Sequence, residues 1–443
     1  MVRPPTEQNI CLRCKGARML CGKASCPILL KQSVLKSMLP YDFGKVKRNV
    51  EIFGASPPGF FVGRFGYPNV NIGPLIPFSD LKTDFNISDY HVLDAPEIWF
   101  GKPMVEIVRY RSSLVRSNFG VNVRVDKERR KNTLSIKVSK LLDASRELSM
   151  AARPVDTETK LEKMRMVMTM DNHALPVGPT GKTERIRIDE NVKVHPKVEY
   201  CVADSDLKAS EAISEYLYIK GRVPQSTIER VFSAGLIGEE SKRKIVPTRW
   251  TITAIDDIIS KRLIQEIKKF PELDDYRVFE STYLDNRFKI MLFPGKFAFD
   301  MNEVWAPNTL WNISLSGNNK ALKPQIINDY EFYKGRKKYA SNITGAYYAA
   351  RKSVCEYLVK IGRQARVLIF REVSGGYLIP LGVWVIRETV KNAFESAQPL
   401  VIDNFNDSLK KMADGLMVDL KQWQKSSKLI NFIKNQRTLD EFW

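Results

Sequence analysis

Apolar residues recur at helical spacing in several stretches of this chain. Over 134–150, Leu134, Val138, Leu141, Leu142, Ala144, Ser145 and Leu148 lie on one stripe, which a period of 3.6 residues turns into one face of an amphipathic helix. The same spacing predicts helices over 28–38, 104–117, 207–219, 224–237 and 252–268. A turn at Gly221-Arg222 separates the third from the fourth. Thr251 or Thr253 caps the fifth, with Asp256 and Asp257 in its first turns. A helix of small residues runs from about Asn342 through Ala346, Ala349 and Ala350 to Ile361, and two more are expected over 387–397 and 404–424.

Period-two alternation marks the strands. Val121-Asn122-Val123-Arg124-Val125 alternates apolar and polar, 184–188 is a second strand, and 276–315 is strand-rich, with 287–293 its clearest part. Ser374-Gly375-Gly376 joins 366–373 to 377–385 and reads as the turn of a hairpin. Residues 51–80 hold too many glycines and prolines for a helix, yet 62–67 alternates enough for a strand or hairpin. Met164, Met166, Met168 and Met170 read as adaptable core filler. Short strands and tight turns predict a mixed α/β (α+β) body around a mostly antiparallel or mixed sheet, rather than a doubly wound one. At 443 residues the length suggests about two to three domains. The expected organisation is a small module over 1–30, a body in two parts, 31–240 and 241–425, and a linker with a flexible tail over 426–443.

Charge narrows the partners. Lysine and arginine number 70 against 50 acidic residues, a net charge of +20 spread along the chain. A basic globular body points to a polyanion, nucleic acid in the first place. The bland alternative is a lysine-rich surface of the kind found in proteins from hot environments. No apolar run reaches the ~18–20 residues of a membrane span, and the N-terminus lacks the apolar core of a signal peptide. A cytoplasmic, nucleoid-associated protein with no membrane partner is therefore expected. Six cysteines in such a chain read as ligands or free thiols rather than disulfides.

Four of those cysteines, Cys11, Cys14, Cys21 and Cys26, follow the spacing C-x2-C-x6-C-x4-C. A tight pair with a looser pair behind it supplies four thiolates for a tetrahedral, closed Zn2+ site, which is structural rather than catalytic. Lys15, Arg18 and Lys23 offset part of the charge of such a centre. An iron–sulfur cluster is the alternative metal. The module either touches DNA or clips the fold.

Three stretches mix basic and aromatic residues. Arg64 and Tyr67 lie in the glycine-rich Val62-Gly63-Arg64-Phe65-Gly66-Tyr67-Pro68, where glycines allow close backbone approach and an arginine among aromatics suits phosphate and base together. Lys242, Arg243, Lys244 and Arg249 stand beside Trp250, a composition that fits a phosphate backbone. Arg336, Lys337 and Lys338 interleave with Tyr330, Phe332, Tyr333 and Tyr339, as single-strand binding surfaces do. Inward-packed aromatics and solvated basic loops are the structural alternatives. Gly178-Pro179-Thr180-Gly181-Lys182-Thr183 resembles a P-loop, but Pro176 stands where its first glycine is required, so a turn before the strand 184–188 is expected.

Catalysis has fewer supports. Only three histidines occur, His91, His173 and His195, with no ligand spacing. Asp285, Asp300 and Glu303 are placed by the pattern at strand ends, where a Mg2+-dependent nuclease carries its carboxylates.

The chain closes on Gln436-Arg437-Thr438-Leu439-Asp440-Glu441-Phe442-Trp443. One helical turn brings Leu439 together with Phe442 and Trp443 as an apolar plug, leaving the Gln436 amide for a partner's backbone. This pattern resembles a PIP box, the peptide that docks on the sliding clamp PCNA. The resemblance implies that Gln436 fills a small polar pocket and that Leu439, Phe442 and Trp443 fill the hydrophobic one. The structural alternative is a terminal helix packed on the body.

Several of these stretches together resemble the archaeal Nre family of DNA-repair proteins. They are the cysteine set, Val62 to Pro68, and Val246-Pro247-Thr248-Arg249-Trp250-Thr251-Ile252-Thr253-Ala254. Tyr339-Ala340-Ser341-Asn342-Ile343-Thr344-Gly345-Ala346-Tyr347-Tyr348-Ala349-Ala350-Arg351, Pro380-Leu381-Gly382-Val383-Trp384 and the terminal motif complete the set. The resemblance implies a DNA-repair protein recruited by PCNA, and offers no catalytic residues. Two functions are thus expected: a DNA-binding repair factor held at the clamp, or a metal-dependent DNA-processing enzyme in the same pathway.

Overall fold

The computed structural model describes residues 46–77, 87–165, 178–306, 324, 326–377, 380–396 and 398–435. The four cysteines, the helix expected over 28–38, Met166, Met168, Met170 and the terminal motif lie outside the described residues. The rest falls into two compact units, 46–165 with 178–259, and 260–435.

The first unit is built on a six-stranded sheet of order β1-β5-β6-β4-β3-β2. Its strands are β1 (Val46–Ser56), β2 (Phe60–Val62), β3 (Asn69–Pro77), β4 (Leu114–Asn122), β5 (Val155–Arg165) and β6 (Thr180–Ile188). All neighbours are antiparallel except β4 and β6, which run parallel from Arg116↔Thr180. The helices are α1 (Met104–Ser112), α2 (Val125–Arg130), α3 (Ile136–Met150) and α4 (Pro196–Ala203). Then come α5 (Ala209–Glu211), continued as a π-helix over Ala212–Lys220, α6 (Gln225–Ser233) and the start of α7 (Thr248–Ile267).

The stripe read from the sequence is the buried face of α3. Leu141, Leu142, Ser145 and Leu148 are buried, and the Ser135 hydroxyl caps the helix by accepting from the Val138 amide at 3.3 Å. Against α3 pack Phe60, Val62, Val70, Ile72, Phe119 and Val121, the inward residues of β2, β3 and β4.

Two expectations change here. The helix expected over 104–117 ends at Ser112, and 114–122 is β4. Leu114 and Val115 are both buried, so the start of this strand shows no alternation. The turn expected at 178–183 is already strand from Thr180. A Cβ at Gly178 would sit 2.2 Å from the Leu114 carbonyl oxygen, so only glycine lets the chain run this close to β4.

The second unit has a six-stranded sheet of order β10-β9-β11-β8-β7-β12. Its strands are β7 (Tyr276–Tyr283), β8 (Asn286–Phe293), β9 (Ala298–Trp305), β10 (Ile326–Glu331), β11 (Arg366–Val373) and β12 (Leu400–Ile402). Only β9 and β11 are parallel. Helices α8 (Gly345–Ile361) and α9 (Trp384–Glu395) cover one face, where Phe279 meets Tyr357 and Phe394 edge to face. Helices α10 (Phe405–Ala413), α11 (Leu420–Ser426) and α12 (Lys428–Asn435) cover the other, with Leu409, Met412, Trp423, Leu429 and Ile430 against Met291, Phe293, Leu368 and Phe370. Burial on both faces explains the near-continuous apolar run of β8.

Three expectations are corrected in this unit. The described part of 377–385, residue 377 with 380–385, is not strand: β11 already has β8 and β9 on its two sides, Gly382 takes a φ of +110°, and α9 starts at Trp384. The helix expected over 404–424 is two helices, broken at Gly415 with a φ of +73°. The linker expected after 424–428 is the packed helix α12 as far as Asn435.

Candidate nucleic-acid interface

The hairpin of β2 and β3 is anchored from inside and presents its turn to solvent. Phe60, Val62, Val70 and Ile72 point into the core. The Gly63 amide donates to the Asn71 carbonyl at 2.8 Å, and the Asn69 amide to the Gly66 carbonyl at 2.9 Å. Gly66 has a φ of +83°, and a Cβ there would lie 2.7 Å from the Asn69 oxygen, so the turn requires glycine. The turn leaves Arg64, Phe65 and Tyr67 exposed.

One bond brings the second stretch to this turn. The Val62 amide donates to the Thr248 hydroxyl at 2.9 Å, tying β2 to the first residue of α7. Trp250, two residues on, meets Tyr67 with ring centroids 5.2 Å apart and planes at 54°. Phe65 is 70% exposed, Tyr67 44% and Trp250 45%. The Arg64 guanidinium lies 5.2 Å from the Phe65 ring centroid, and Arg249 is exposed beside Trp250. Three large aromatics left in water with two arginines form a surface suited to stacking bases and meeting phosphates.

The neighbouring basic residues divide. Arg243 is internal, donating to the carbonyls of Gly238, Val202 and Asp204 at 2.7, 3.0 and 2.6 Å. Lys242 pairs with Glu239 at 2.6 Å. Lys244 and Arg249 keep exposed positions.

In the second unit, Arg336 organises its loop. It donates to the carbonyls of Tyr330, Lys338 and Tyr339 at 2.7, 3.2 and 3.3 Å and pairs with Asp329 at 2.9 Å. Lys337 and Lys338 are left exposed at the tip, beside Tyr339. Tyr333, 40% exposed, has the ammonium groups of Lys268 and Lys296 at 4.6 and 5.7 Å from its ring centroid. These two lysines and Phe65 were not singled out in the sequence. The lysines come from distant segments, and Phe65 sits in an alternation that reads equally well as inward.

The carboxylates are engaged within the fold. Asp300, fully buried on β9, accepts from the Ser427 hydroxyl at 2.9 Å and the Leu429 amide at 2.6 Å, which caps α12. Its other oxygen accepts from the side-chain amides of Asn302 and Asn328 at 2.8 and 2.5 Å. Burial lifts its pKa from 3.8 to about 6, against the pull of these four donors. Glu303 pairs with the buried Arg371 and accepts from the Trp305 indole at 2.6 Å. Asp285, in the β7–β8 turn with a φ of +57°, accepts from the Gly376 amide at 2.7 Å. Among the described residues no three His, Cys, Asp or Glu side chains converge as metal ligands. Cys201 and Cys355 are buried free thiols, and no described helix is long and apolar enough to cross a membrane.

Fold and surfaces define a basic mixed α/β protein of two units, each with an exposed basic–aromatic loop. The chain belongs to the archaeal Nre family: Archaeal Nre, N-terminal, matches residues 20–312, and Archaeal Nre, C-terminal, matches 331–442. It is 34% identical to DNA repair protein NreB of Archaeoglobus fulgidus over 433 residues, covering 98% of this chain and 99% of that one. It is also 34% identical to DNA repair protein NreA of the same organism, covering 94% and 95% of the two chains. DNA repair protein NreA of Haloferax volcanii is 31% identical, with 87% and 88% covered. No solved structure matches the chain.

Proposed function

We propose that this chain is a DNA-repair factor that binds DNA through the Arg64–Tyr67 turn with Arg249 and Trp250, and is held at the sliding clamp PCNA by its last eight residues. The observation that carries DNA binding is the exposed cluster of Phe65, Tyr67 and Trp250 with its two arginines, fixed by the Val62–Thr248 bond. Stacking on such rings contributes about 1–3 kcal/mol per base and tolerates any sequence, which suits a protein acting on damaged DNA of arbitrary sequence. Lys337 and Lys338 provide a second phosphate contact on the other unit, with Arg336 shaping their loop. The relatives' shared name supports the repair setting.

Clamp binding rests on Gln436, Leu439, Phe442 and Trp443. This motif follows α12 directly, and α12 is held at its start by Asp300 and by the buried Leu429 and Ile430. Cys11, Cys14, Cys21 and Cys26 would hold a structural zinc ion, on the strength of their spacing. Calorimetry of the full chain against PCNA, beside a chain ending at Asn435, tests the tail. Binding confined to the full chain is expected; equal binding by both removes the clamp from this account.

A further inference from the structure

Arg116, a half-buried residue of β4, is a cation with no counter-charge among the described residues. Three buried arginines hold acids: Arg146 grips Asp126 through two bonds of 2.7 Å, Arg351 pairs with Glu331 at 2.9 Å, and Arg371 pairs with Glu303; a fourth, Arg230, donates to the Ala151 carbonyl and the Thr227 hydroxyl at 3.2 and 2.9 Å. Among the described residues the Arg116 guanidinium has no hydrogen-bond acceptor, and its buried Nε is unpartnered. It lies 3.7 Å from the Phe61 ring centroid. Among the described residues the charge acting on it is that of Arg111, a second cation, which itself pairs with Asp94 at 3.3 Å. Burial, then Arg111, depresses its pKa to about 10. A desolvated cation beside another cation is unfavourable unless something negative joins it.

The surroundings say what that is. Register places Arg116 opposite Leu75, Asn71 opposite Gly120 and Asn69 opposite Asn122, so these residues share the sheet face away from the α3 core. Asn69, Asn71 and Gly120 are exposed, and a Cβ at Gly120 would meet only Asn71, at 3.9 Å. Toward the hairpin turn this face is polar and glycine-thinned, and it is continuous with the hairpin, because Phe61 precedes Arg64 by three residues of β2 and its turn. That is about 10 Å at the rise of an extended strand, roughly three phosphates of one DNA strand.

We propose that Arg116, stacked on Phe61, is a phosphate subsite, receiving a backbone phosphate of the strand whose bases stack on Phe65, Tyr67 and Trp250. This rests on the DNA-binding function proposed above. Full-length chain is titrated with a labelled single-stranded oligonucleotide across a NaCl series, and its thermal midpoint is recorded with inorganic phosphate or chloride at equal ionic strength. Arg116→Met is expected to weaken DNA binding severalfold and to lower the slope of log K against log[NaCl] by about 0.7. It should also raise the midpoint of the ligand-free protein, because an unpaired charge leaves the interior. A merely structural arginine would instead lower the midpoint on removal, and a lower midpoint with DNA affinity and slope unchanged overturns the proposal. Arg116→Lys, which keeps the charge, is expected to retain the salt slope.

If the wild-type chain binds no DNA, the DNA-binding function itself fails. Protection by phosphate that Arg116→Met abolishes would still support a phosphate subsite, one that serves a free phosphate compound. No protection in either protein would overturn it.

Discussion

Side chains of one type serve opposite ends in this protein, and their partners decide which. Arg64 and Arg249 stand outside with aromatics, while Arg243 and Arg336 turn inward to carbonyls. In the sequence all four look alike, a basic residue near an aromatic, because the carbonyls they meet come from loops that composition does not reveal. Asp300 shows the same limit. Its place near a strand end suggested chemistry, yet its four donors make it the cap of a helix more than a hundred residues away in the chain. Burial raises its folded pKa to about 6, above its unfolded value, so its contribution to stability is complete below about pH 4 and is lost as pH rises through 6. Urea unfolding should show about 3 kcal/mol of stability disappearing over that window. That component is expected to be absent from Asp300→Asn; an identical pH dependence in both proteins would contradict this assignment.

At the level of elements, periodicity was most legible where one face is buried and the other is wet. Helix α3 matches its stripe nearly residue for residue, and α7 and α8 lie close to their expected spans. Elements buried on both faces, or ended by a turn, were harder to read. The pattern at 377–385 looks like a strand because it is rich in apolar residues; Tyr377, Leu381, Trp384 and Val385 are buried, and the Trp384 indole donates to the Leu381 carbonyl at 2.7 Å. Helix α12 was hidden by the polar residues before it, although Leu429 and Ile430 are buried. Each such side chain contributes about 1.5–3 kcal/mol. Ending the chain at Ser427 should therefore lower the thermal midpoint by many degrees relative to a chain ending at Asn435. Equal midpoints would show that α12 is not part of the folded unit.

For the whole molecule, charge and sheet class were readable. A mixed sheet was expected and two were found, each with a single parallel pair. The chain passes from one unit to the other within α7, where no glycine, proline or polar run marks a boundary. The net charge of +20 predicts DNA binding that weakens steeply with salt, but salt sensitivity alone does not distinguish a site from a basic surface. The aromatic cluster does. Fluorescence anisotropy of a single-stranded oligonucleotide should be compared between the wild-type chain and Tyr67→Ala with Trp250→Ala. Loss of two stacking platforms predicts affinity lower by about thirtyfold or more, at an unchanged thermal midpoint, because both rings are nearly half exposed. Unchanged affinity in the double variant would contradict the account, and DNA contact would then have to be sought elsewhere on the protein.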